Sequence, residues 1–119
     1  MIQKATIISI SDKCGIVNGN VFHIYKGFNH RIGYLGNFNK FSVRLTTSSA
    51  SSLKGQKINS IFIRSKKEQC RLDGSYFKFK SNAVISLKKR LTPRGKELVG
   101  PASKFLYRKK FLMSFAGIF

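Results

Sequence analysis

A chain of 119 residues has room for one hydrophobic core and not for two, and 42% hydrophobic with 13% aromatic residues excludes disorder throughout. Twenty-three Lys and Arg face four acids, Asp12, Glu68, Asp73 and Glu97, for a net charge of +19. Four carboxylates neutralise four bases at most, so the excess needs a polyanion or counterions, with nucleic acid the first partner and an anionic membrane surface the second.

In chain order, Met1-Ile2-Gln3-Lys4-Ala5-Thr6 lacks the charged and apolar regions of a signal peptide and the Arg- and Ser-rich character of an organellar leader. Ala5 to Ile10 is an apolar run suited to a buried strand. Asn18-Gly19-Asn20 reads as a turn, followed by a strand over Val21 to Tyr25 and a second turn over Gly33 to Gly36. In Lys40-Phe41-Ser42-Val43-Arg44-Leu45-Thr46, Phe41, Val43 and Leu45 fall on one face and Lys40, Ser42 and Arg44 on the other. Thr46 to Ser52 is a Ser- and Thr-rich loop, and Lys54-Gly55 a turn. Ile61 and Ile63 alternate ahead of Arg64; Phe77 and Phe79 alternate with Tyr76, Lys78 and Lys80 beyond the Asp73-Gly74 turn; Ala83 to Leu87 closes the series. Short strands at this spacing predict an all-β chain closed into a small barrel, with Ile8, Ile10, Phe41, Val43, Ile61, Ile63, Phe77, Phe79 and Ile85 in its core.

From Pro93 the alternation stops. Pro93-Arg94-Gly95 and Gly100-Pro101 break the chain, and Ser103 is placed to cap a helical turn sharing Leu106, Tyr107, Lys110 and Phe111 on one face. The expected organisation is a barrel over residues 1–92 and an extension of one or two short helices over 93–119, in the same domain.

The basic residues cluster. Arg64, Lys66 and Lys67 with Arg71 form one group, Lys88, Lys89, Arg90 and Arg94 with Lys96 a second, and Arg108, Lys109 and Lys110 a third. Cations at loop tips reach phosphates off the barrel surface, which positions a protein on RNA without reading bases. Arg31, Lys40, Arg44 and Lys78 join them as candidate RNA contacts. Tyr76 is a candidate to stack on an unpaired base, although alternation turns half of such rings into the core.

Enzyme signals are missing: no GxxxxGK[ST], GxSxG or HExxH occurs, and Asp73 before glycine is turn chemistry. Cys14 and Cys70 are far apart and in no CxxC pair, so neither a disulfide framework nor a cofactor is expected. Zinc would need Cys14, Cys70, His23 and His30 to converge without local spacing. No apolar run approaches the roughly 20 residues of a membrane span. Lys exceeds Arg, and Ile, Phe and Asn are frequent, a usage expected of an A- and T-rich genome.

Taken in order, these residues resemble one family, the universal large-subunit ribosomal protein numbered fourteen. Met1-Ile2-Gln3 with Thr6 resembles its first strand, Asp12-Lys13-Cys14-Gly15 its Asp-Asn-Ser-Gly turn, and Gly27, Arg31 and Gly36 part of its Gly-Gly…Arg-Arg…Gly segment. Arg64-Ser65-Lys66-Lys67, then Arg71 to Ala83 through Asp73-Gly74-Ser75, resembles its Arg-Thr-Lys-Lys…Asp-Gly-Ser…Arg-Phe…Asn-Ala signature. Pro93, Gly95, Gly100-Pro101 and Lys110-Phe111 follow in the expected order. The resemblance implies a five-stranded barrel with a C-terminal helical extension, a structural and non-enzymatic role, and binding to large-subunit rRNA near the subunit interface. It also implies neighbouring large-subunit proteins, a bridge to small-subunit rRNA and docking of a ribosome-silencing factor, with no membrane. Cys70 stands where the family usually has Arg and Lys80 where an acid is common. Lys96-Glu97 replaces the usual Thr-Arg, and these two residues are the candidate intersubunit or factor contacts. With the codon-biased composition, the resemblance implies an organelle-encoded protein, mitochondrial first and plastid or bacterial second. The alternative is a free-standing basic barrel acting as an RNA chaperone.

Overall fold

The computed structural model describes residues 1–28, 30–103 and 115–118. Among the described residues there are eleven short strands: β1 (Ile2–Gln3), β2 (Ile7–Ile10), β3 (Ile16–Ile24), β4 (Ile32–Gly33), β5 (Phe38–Thr46), β6 (Lys57–Arg64), β7 (Gln69–Cys70), β8 (Tyr76–Phe77), β9 (Ala83–Leu87), β10 (Glu97–Leu98) and β11 (Gly117–Ile118). Five of them close a barrel in the order β2-β3-β5-β6-β9. Every barrel pairing is antiparallel except the one that closes it, where β2 runs parallel to β9 through Ser9–Ala83 and Ile10–Val84. Closure leaves the barrel no open edge. Three two-stranded pieces stand outside it: β1 with β4, β7 with β8, and β10 with β11.

Alternation decides the interior. On β5, Asn39, Phe41 and Val43 are buried while Phe38, Lys40 and Ser42 are half-buried on the opposite face. Phe41 pairs with Ile58, so Ile58, Ser60 and Phe62 of β6 share its side. Phe41, Val43, Ile58 and Phe62 join Ile2, Ile8, Ile16, Val21, Ile24 and Val84 in the inner cluster, and Ile10 packs half-buried against it. Phe41 needs Gly19 across the ladder, because a Cβ there would run into its ring.

A second cluster, Ile61, Ile63, Ala83, Ile85, Leu87, Leu98 and Phe115, fills the space between the outer side of β6 and β9 and the chain beyond Pro93. Ile61, Ile63 and Ile85 are therefore buried as expected, but under the extension and not inside the barrel. Four consecutive buried residues, Ser60, Ile61, Phe62 and Ile63, follow from cover on both faces of β6.

Other expectations are corrected. Asn18-Gly19-Asn20 is not a turn; it lies within β3, and glycine marks close approach of the Phe41 ring. The first barrel strand starts at Ile7 because Ala5 takes φ 69°, which breaks extended geometry. Leu45 faces solvent at 53% exposure. Asn18 pairs with Leu45 but Gly19 with Val43, so an extra β5 residue reverses the facing beyond that point. Phe77 and Phe79 are half-buried, meeting edge-on at 5.9 Å; Phe77 belongs to the β7–β8 hairpin outside the barrel, so neither ring is barrel core. The helical turn expected after Ser103 lies outside the described residues. The described part of the extension contributes β10 and β11, paired in parallel through Glu97–Gly117 and Leu98–Ile118.

Candidate nucleic-acid interface

Antiparallel pairing of β6 and β9 sorts the cations. Arg64 at the end of β6 lies opposite Ala83 at the start of β9, and Leu87 at the end of β9 lies opposite Asn59. The segments that continue from Arg64 and from Leu87 therefore leave the barrel at opposite ends.

At the first end, Ser65 is the organising residue. Its buried hydroxyl accepts from the Met1 ammonium at 2.5 Å and from the Lys67 amide at 3.3 Å, and its carbonyl accepts from Phe79 N at 3.0 Å. Lys66 N donates to Asn82 Oδ1 at 2.9 Å. The backbone is pinned while Lys66, Lys67, Arg71 and Lys78 remain exposed. Partial burial and the charge of Lys67 hold the terminal amine below its usual pKa. In the hairpin, Arg71 lies over the Phe77 ring at 4.9 Å, Lys78 pairs with Glu68 at 3.8 Å, and Gly74 at φ 86° makes the tip. Asp73 accepts from Ser75 N and Oγ at 3.0 and 2.6 Å, which lowers its pKa and holds the turn. Arg64 differs from its neighbours: its guanidinium packs where a side chain on Gly100 would sit, and burial lowers its pKa.

At the second end, Lys88, Lys89 and Arg90 are exposed on a turn closed by Lys88 N to Thr92 O at 2.8 Å, with Leu91 at φ 61°. Arg94 reaches back, donating from Nη1 to Ser52 Oγ at 2.9 Å and from Nε to Leu87 O at 3.4 Å. Lys88 and Arg94, with Cys14 and Ser51, line a cleft of about 300 Å³. Burial, and then the nearby Asp12 charge, push the Cys14 thiol above its ordinary pKa. Lys96 is exposed, while Glu97 is held by Lys13 at 2.5 Å.

Arg31 is exposed at a cleft of about 410 Å³ beside Gln3 and Lys4. Lys40 and Arg44 lie on the outer face of β5, apart from both loop groups. Arg108, Lys109 and Lys110 lie outside the described residues. Sequence reasoning missed Lys26 and Lys57, whose Nζ atoms stand 4.5 Å from the Tyr34 ring and 5.9 Å from the Phe22 ring. The signal for Phe22 was present in Val21 to Tyr25, but a register shift between Val21 and His23 hides its facing.

All four acids are engaged: Asp12 and Asp73 by amides and hydroxyls, Glu68 and Glu97 by lysines. Among the described residues no group of three His, Cys, Asp or Glu could hold a metal, and no helix is long and apolar enough to cross a membrane.

A closed five-stranded barrel that carries cationic loops at both ends on a chain of net charge +19 defines the class: a small, strongly basic β-barrel. The chain belongs to the Ribosomal protein L14p/L23e family, whose model matches residues 1–117. It is accordingly a structural ribosomal protein and not an enzyme. It is similar to the large ribosomal subunit protein uL14m of Tetrahymena pyriformis, 46% identical over 117 residues that cover 98% of each chain.

Proposed function

We propose that this chain is a structural constituent of the large subunit of the mitochondrial ribosome and binds large-subunit rRNA through its two loop groups near the subunit interface. The observation that carries this reading is the pair of exposed cation groups at opposite ends of one barrel, with all four acidic side chains already engaged. Lys66, Lys67, Arg71 and Lys78 take phosphates at one end, and Lys88, Lys89 and Arg90 at the other. Two separated footprints fix orientation, so the barrel serves as a strut between RNA segments and not as a clamp on one. Arg64, packed against Gly100, and Arg94, bonded to Ser52, shape the loops they leave and offer their remaining donors to RNA. Lys96 is the exposed cation of the segment that contacts the small-subunit rRNA bridge or a silencing factor, while Lys13 restrains Glu97. Neighbouring large-subunit proteins cover exposed apolar residues such as Ile7 and Leu53. The Lys-, Ile-, Phe- and Asn-rich usage fits coding by the organellar genome.

Sedimentation of native mitochondrial ribosomes tests this reading. The protein should comigrate with the large subunit through high-salt washing. Release into the soluble fraction at moderate salt, with the subunit otherwise intact, identifies an RNA chaperone that visits the ribosome.

A further inference from the structure

We infer that the outer face of β3, β5 and β6 is a stacking platform for unpaired RNA bases, distinct from the loop groups and resting on the RNA-binding reading above. The ladder pairs His23 with Lys40, and Ser42 with both Asn20 and Lys57, which puts these side chains on one outer face. The bulge at Phe22 brings its ring out, 41% exposed, with Lys57 Nζ 5.9 Å from the ring centre. Just beyond β3, Tyr25 is 45% exposed, braced edge-on by His23 at 4.6 Å, with Lys40 Nζ at 5.8 Å. A cleft of about 240 Å³ adjoins the Tyr25 ring, walled by Phe38, Asn59 and Leu91. Of these walls, Asn59 has a buried Oδ1 with no hydrogen-bond partner among the described residues. None of the four acids lies in β3, β5 or β6.

Exposed rings, each with a lysine above it and no acid beside it, suit a ligand that is flat, apolar on its faces and anionic along its edge. Unpaired nucleotides have that chemistry. A base takes the ring face, and the lysine head swings from the ring to the adjoining phosphate. Duplex RNA already stacks its own bases and offers this face phosphates alone. A protein partner would need acids to meet Lys40 and Lys57.

The test is equilibrium binding of the full-length chain to a short unstructured pyrimidine-rich RNA and to an RNA duplex with the same number of phosphates. Phe22→Leu and Tyr25→Leu keep apolar bulk at exposed positions and remove the ring. Each should weaken single-strand binding about 5- to 150-fold, leave duplex binding within about twofold, and Tyr25→Phe should restore the single-strand affinity. Unchanged single-strand affinity in both leucine variants, the result for a face that seats a neighbouring protein, overturns the platform and leaves the loop reading standing. An equal fall on both RNAs also overturns it. Failure of the unaltered chain to bind either RNA overturns both readings.

Discussion

The Asp12 carboxylate accepts from the amide and the hydroxyl of Ser86 at 3.1 and 2.7 Å, across 74 residues of chain. Its Oδ2 also takes the Gly95 amide at 3.0 Å, and its own backbone bridges to Leu98. One buried acid thus ties the turn after β2, the strand β9 and the start of the C-terminal extension. Removing it leaves three donors facing a void.

Asp12→Ala should therefore lower unfolding free energy by about 3 kcal/mol, and Asp12→Asn by less, since one acceptor survives. Chemical denaturation of the free chain checks the order. Equal stability of all three forms would show that the network contributes nothing.

Packing distinguishes two rings that look alike in sequence. Phe41 is fully buried and Phe79 is half-buried beside the hairpin. Phe41→Ala should cost about 3–5 kcal/mol, and Phe79→Ala about 1–2. Reversal of that order in urea unfolding would move the core.

Period-two patterning made β5, β6 and β9 legible, and the Ala83 to Leu87 boundaries stand unchanged. Alternation reports a pleated strand but not which sheet owns it, which is why Phe77 and Phe79 were assigned to the barrel. Glycine between asparagines reads as a turn until the ring opposite it is known, as at Gly19 facing Phe41. The loop cations were legible because charge needs no geometry to be seen. The lysine over Phe22 was not, since a bulge and the pairing of β3, β5 and β6 bring the two together.

Salt should act on binding and on stability in opposite senses. With about 6–10 phosphate contacts, affinity for rRNA fragments should fall about 10³- to 10⁵-fold between about 50 and 200 mM salt. Screening of +19 should meanwhile raise the melting temperature of the free chain. Lys66→Gln with Lys67→Gln should flatten the logarithmic salt slope by about 2 and weaken unrelated RNAs alike. A slope indifferent to these substitutions would put the contacts elsewhere.

The two thiols should separate by rate. Cys70 is exposed, whereas burial keeps Cys14 protonated above its ordinary range. Alkylation at neutral pH should modify Cys70 first and Cys14 at least about tenfold more slowly. Because the folded state binds the Cys14 proton more tightly than the unfolded chain does, its stabilising contribution is present at neutral pH and lost as pH climbs through the raised pKa. Mass spectrometry of timed samples reads the rates, and equal labelling would place Cys14 at the surface.

Barrel closure between β2 and β9 has a consequence for birth of the molecule. Ser9 hydroxyl meets Asn82 carbonyl at 3.0 Å, a join that spans 73 residues. A chain emerging from the machine that synthesises it carries β2, β3, β5 and β6 as an open, twisted ribbon until Ala83 to Leu87 is free to enter. During that interval both edges of the ribbon, β2 and β6, offer bare amides and carbonyls to any passing strand. The net charge of +19 is already on the nascent chain, and it keeps such ribbons apart. The same cations thus guard the protein before they take up the anchoring role proposed for them.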